Sequence, residues 1–104
     1  MTHDFRDVPV AHSFWRRLVG LSWIADRTRL RLFIPRCSII HTAFLRSEID
    51  VVFVDVDGTV LSIVSHARSW RIYAGPSGTR SVLELPRGQA SERGIKRGDV
   101  VMIG

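Results

Sequence analysis

The stretch VVFVDVDGTVLS, residues 51–62, decides how this chain is read. Val51 to Val54 are β-branched or aromatic, a run of strand length that is too apolar for one face to meet water. Asp57-Gly58 follows and a second apolar segment comes after it. A DG pair between two apolar segments signals a tight hairpin, because both turn positions tolerate positive φ. EIDVVFVDV (48–56) and TVLSIVSH (59–66) are therefore expected to pair antiparallel across that turn.

The same letters permit a chemical reading. Asp55-Val56-Asp57-Gly58-Thr59 resembles the nucleophile motif of haloacid dehalogenase-like phosphatases. In those enzymes the first aspartate attacks phosphorus and the second handles the proton, both at the end of a parallel strand beside magnesium. Such a scaffold consumes about 30 residues for each strand-helix-strand unit. The residues after Thr59 read as strands and turns, and the one lysine, Lys96, lies in a glycine-rich turn. The hairpin accounts for every residue of the motif, and the phosphatase reading is set aside.

Outward from the hairpin the chain continues to punctuate like a β protein. RLRLFIP (29–35) alternates, with Leu30, Leu32 and Ile34 on one side, and stops at Pro35. SIIHTAFL (38–45), WRIYA (70–74), SVLELP (81–86) and DVVMIG (99–104) are further strand candidates, with turns at 75–78 and in the glycine-rich segment 87–99. One helix is predicted near 11–20, where Phe14, Trp15, Leu18 and Val19 gather on one face and Gly20 suits the position just past the end. At most one short helical turn fits near 89–94. Residues 1–104 thus read as a single, compact, mainly β domain of the β-rich α+β kind, an antiparallel sandwich or barrel-like fold.

Composition narrows the classes. Hydrophobic residues make up 45% and charged residues 24%, an ordinary globular balance. The single cysteine, Cys37, has no internal disulfide partner. Nothing approaches the roughly 20 apolar residues of a membrane helix, and the acids Asp4 and Asp7 do not suit a secretory leader. A cytoplasmic monomer that does not insert into membranes is expected, with a processed exported form left open. The formal charge is +5, nearly all from arginine. These arginines are dispersed rather than clustered, so nucleic-acid binding is disfavoured.

Four polar residues interrupt apolar strand segments: His41, Thr42, Asp50 and Glu84. Ionisable groups in such places are costly unless paired or facing a cleft. They form the candidate site, either as a polar pocket with His41 as acid/base or as a hydrogen-bonded structural cluster. Without a nucleophile beside them they do not specify a reaction, and no cofactor or metal is expected. Asp57, Gly58, Gly88 and Gly98 are read as structural turn residues. Trp70 and Tyr73 are read as core or rim.

Taken in order, GLSW (20–23), CSIIHTAFLRSEIDVVFVDVDGTVL (37–61) and VLELPRGQASERGIKRGDVV (82–101) resemble the prokaryotic domain-of-unknown-function family 192 over about residues 10–103. Gly20-Leu21, Thr42, Ile49-Asp50, Glu84, Gly88 and Gly98-Asp99 match that family's segments. Ser22, His41 and Glu48 stand where methionine, asparagine and proline are usual. The resemblance implies a compact, mainly β fold and no established reaction, with some members linked to secretion or pilus machinery. The expected function is a non-enzymatic binding or interaction module for an unknown protein or small ligand. The alternatives are a hydrolase-like enzyme using His41 with Asp50 and Glu84, and a non-specific nucleic-acid binder acting through arginines.

Overall fold

The structure, a computed structural model, describes residues 1–10, 31–42 and 48–103. The helix predicted near 11–20, with Gly20, Leu21 and Ser22, lies outside the described residues. Eight strands are seen among them: β1 (Thr2–Asp4), β2 (Leu32–Pro35), β3 (Ile39–His41), β4 (Ile49–Val54), β5 (Val60–Ala67), β6 (Ile72–Ala74), β7 (Ser81–Pro86) and β8 (Val100–Met102). Among the described residues one short helix, α1 (Gln89–Glu92), falls within the predicted segment 89–94. The protein is mainly β, as expected.

Its centre is a four-stranded antiparallel sheet in the order β2-β7-β4-β5. β4 and β7 are the inner strands, which explains why their sequences carry apolar residues at consecutive positions: both faces are covered. Val52, Val54, Leu83 and Leu85 pack on one face with Phe5, Ala90, Ile95 and Val101. Ile49, Val51, Phe53 and Val82 pack on the other with Ile34, Ile40 and Ala67. The sheet stays open, with β2 and β5 at its edges, and does not close into a barrel. Pro35, without an N–H to give, ends the edge strand β2, where the sheet makes no further demand on it.

Two short ribbons complete the fold. β3 pairs antiparallel with β6, and β1 pairs with β8 in parallel, Thr2 opposite Val100. The β1–β8 pair is the one parallel pairing among the described strands, in a fold that is otherwise antiparallel as expected.

The β4–β5 hairpin forms, but by a different turn from the one anticipated. The Gly58 N–H donates to the Asp55 carbonyl at 3.1 Å, and the Asp55 N–H to the Thr59 carbonyl at 3.0 Å. Gly58 has φ of 82°, whereas Asp57 is not among the non-glycine residues at positive φ. This is a three-residue loop closed by a left-handed glycine, not a two-residue turn with both positions left-handed. The Asp55 side chain stabilises it by accepting the amides of Asp57 and Thr59, each at 2.9 Å.

Candidate functional site

Asp50 is the second residue of β4 and has no exposed surface. Alternation places it on the Val52–Val54 face. Its Oδ2 accepts the buried Ala90 amide at 2.9 Å, and its Oδ1 accepts the His66 amide at 3.0 Å. Both donors need such an acceptor. Ala90 is in the first turn of α1, where amides have no partner within the helix. His66 lies where Ile49 pairs with Ala67 but Val51 with Val64, so two residues of β5 bulge opposite one of β4. His66 takes a φ of 56° there. Both carboxylate oxygens are thus occupied by main chain.

Thr42 is equally buried. Its hydroxyl donates to the Arg68 carbonyl at 2.5 Å and accepts the Arg71 amide at 2.9 Å. The Thr42 carbonyl accepts from Trp70 N–H at 3.1 Å, and its own N–H donates to the Arg71 carbonyl at 2.9 Å. One threonine therefore ties down the turn 68–71 through four main-chain groups. The Tyr73 hydroxyl accepts the Arg68 amide at 2.8 Å and holds the turn from its other side. Within this frame Trp70 adopts a φ of 59°, unusual for a bulky side chain, and remains 64% exposed.

His41 is half-buried at the end of β3, opposite Ile72 of β6. Glu84 is 3% exposed in β7, opposite Val51. Asp50 stands opposite Leu85 in the same ladder. Residues facing one another across a ladder share a face, so Asp50 and Glu84 project from opposite faces of the sheet. The four candidates do not converge on one cleft. Asp50 and Thr42 instead anchor the two ends of the segment 66–71.

A pair not singled out from the sequence joins β1 to the loop before β8. The ring Nε2 of buried His3 lies 2.8 Å from Asp99 Oδ2, which also accepts the Lys96 amide at 3.0 Å. Ninety-six positions separate the two partners, so no local pattern could announce them. The hydrogen bond from His3 first, and the Lys96 amide second, hold the Asp99 carboxyl down at about 2 from an ordinary 3.8. A carboxyl depressed in the folded state contributes stability above its unfolded pKa and loses it as pH falls through the folded one. Urea midpoints of the wild type should therefore drop between about pH 4 and about pH 2 more steeply than those of Asp99→Asn. Parallel profiles would show that the pair contributes nothing to acid stability.

Comparison with known proteins finds relatives of this chain. A UPF0127 protein of Pyrococcus horikoshii is 33% identical over 86 residues, covering 79% of this chain and 74% of that protein. A UPF0127 protein of Thermococcus gammatolerans is 29% identical over 99 residues, 90% of this chain and 64% of its own length. A solved structure of a protein of unknown function from Novosphingobium aromaticivorans shares the fold with a TM-score of 0.70 at 22% identity, over 86% of this chain and 69% of that one. A second, from Sinorhizobium meliloti, gives 0.74 at 21% identity, over 88% and 76%. Residues 2–103 match the family DUF192, described as Uncharacterized ACR, and this chain belongs to that family.

Proposed function

We propose that the domain is a non-enzymatic interaction module that binds a partner protein through the outer face of the β3–β6 ribbon. The observation that carries this reading is the exposed apolar side chains of the ribbon and of the turn that leads into β6. Ile72 is 77% exposed, Trp70 64% and Ile39 55%. In the ribbon, Ile40 and Tyr73 face one another and turn inward to the core, so Ile39, His41, Ile72 and Ala74 share the outer side. Clustered exposed apolar side chains mark interaction surfaces. Tryptophan and arginine are the types that most often dominate binding, and Arg68 and Arg71 flank Trp70 with exposed side chains. The Thr42 clamp favours binding further, because a turn already fixed loses little freedom on association.

A hydrolase built on His41 with Asp50 and Glu84 gains no support from this arrangement, since the two acids face different sides of the sheet. The partner suited to the ribbon carries an apolar pocket with an acidic rim, and secretion or pilus components are the first to test. Trp70→Gly separates binding from folding. Glycine accepts the left-handed backbone without strain, so stability should change by less than about 1 kcal/mol or rise slightly. Site-specific photocrosslinking from position 72 in host cells should give a defined protein adduct that Trp70→Gly abolishes. Position 72 labelling no more than a control position at exposed Arg97, or an adduct indifferent to Trp70→Gly, would sink the proposal.

A further inference from the structure

At the other end of the sheet, beside the β4–β5 hairpin, lies a cavity of about 220 Å³ that the ribbon reading does not use. We propose that it binds a small zwitterion of the α-amino-acid class, held between Asp57 and Arg80 with Ser81 at its base.

The walls carry charges of opposite sign that do not neutralise each other. Asp55 also lines the cavity, but its Oδ1 is taken by the amides of the turn. Its Oδ2 has no hydrogen-bond partner among the described residues, and the exposed Asp57 adds a second carboxylate to the same wall. Arg80 comes from the loop before β7, with its backbone fixed by the Val54 carbonyl at 2.8 Å and the Cys37 amide at 3.0 Å. Its guanidinium makes no ion pair with either aspartate among the described residues. An anion alone would meet the carboxylates, and a cation alone would meet Arg80. A molecule carrying both charges satisfies both walls.

A second, independent observation points to a ligand. Ser81 is 6% exposed and lines the cavity, yet its hydroxyl has no hydrogen-bond partner among the described residues. Buried hydroxyls are rarely left so, because an unmatched one opposes folding. A bound carboxylate or amine would supply the missing partner. Phe33, Val101 and Ile103 add an apolar wall beside these groups, suited to a short aliphatic side chain. The volume lies below the range of drug-sized pockets, which fits a ligand of few atoms.

The test is an amide-resolved NMR titration of the whole domain with L-alanine, L-valine and L-leucine, each compared with its carboxamide and its N-acetyl derivative. At least one free amino acid should give saturable shifts at Asp57, Gly58, Arg80 and Ser81. Both blocked forms should bind about tenfold more weakly or worse, about 1.4 kcal/mol. Arg80→Ala should abolish the preference over the carboxamide, Asp57→Asn the preference over the N-acetyl form, and Ser81→Ala should weaken binding. Trp70→Gly should leave all of this unchanged, so the cavity and the ribbon stand or fall separately. No saturable shift from any of the three amino acids at concentrations up to the order of 10 mM, or equal affinity for the blocked forms, would overturn the assignment.

Discussion

Asp50→Ala is expected to cost about 3 kcal/mol of folding stability, because it strips the acceptor from two backbone amides at once. A buried donor left without a partner typically costs about 1–3 kcal/mol, and here the Ala90 and His66 amides both lose theirs. The two losses fall on different elements. One loosens α1 at the end of β7, and the other loosens the bulge that re-aims β5 towards the turn at 68–71. Removing a buried charge recovers some solvation energy, which keeps the net figure below the sum of the two penalties. Asp50→Asn should fall between wild type and alanine: one amide oxygen can still accept, but the NH₂ group would face the other N–H. Urea unfolding with an unchanged m-value is the measurement. A loss below about 0.5 kcal/mol, the usual effect of a surface change, would mean that water replaces the carboxylate.

That carboxylate also shows how far the sequence could be read. Asp50, Thr42 and Glu84 stand out as polar letters inside apolar strands, and all three are buried. What period alone could not reveal was the face each one takes. Period fixes parity within a strand, but the relation between β4 and β7 depends on register, and that register sends Asp50 and Glu84 to opposite sides. The inner strands were legible because covering both faces demands continuous apolar runs. SVLELP was expected as a strand, and Ser81–Pro86 is one.

The partner of β6 was not legible. β6 lies just before the turn that leads into β7, yet it pairs with β3, because three residues carry too little pattern to name a neighbour. The β1–β8 pair escaped for the same reason, with strands of three residues at the two ends of the chain. Trp70 was expected at the core or rim because large aromatics usually bury their area. Its exposure follows from a turn held in place by Thr42, a hydrogen-bonding arrangement that hydrophobic periodicity does not register.

Gly58→Ala is expected to cost about 3 kcal/mol or more, and the comparison with Gly98→Ala isolates the cause. Both glycines have positive φ, 82° and 91°, which alone penalises alanine by roughly 1–2 kcal/mol. At Gly98 a Cβ would meet nothing within 4 Å, so backbone strain is the whole effect. At Gly58 the same atom would stand 2.5 Å from the Val101 carbonyl oxygen. This neighbour is backbone and cannot rotate away, and the Val101 amide donates to the Gly58 carbonyl at 2.8 Å. Making room would push β8 off the hairpin and strain its parallel pairing with β1. The difference between the two alanine variants, about 1–2 kcal/mol or more, therefore measures how closely β8 is pressed against the turn. Equal losses would mean that the hairpin yields freely, and a turn that yields could not hold Asp57 and Val101 as fixed walls of one cavity. Stability and ligand binding at this end of the sheet thus depend on the same contact, and Gly58→Ala should impair both while leaving the β3–β6 ribbon intact.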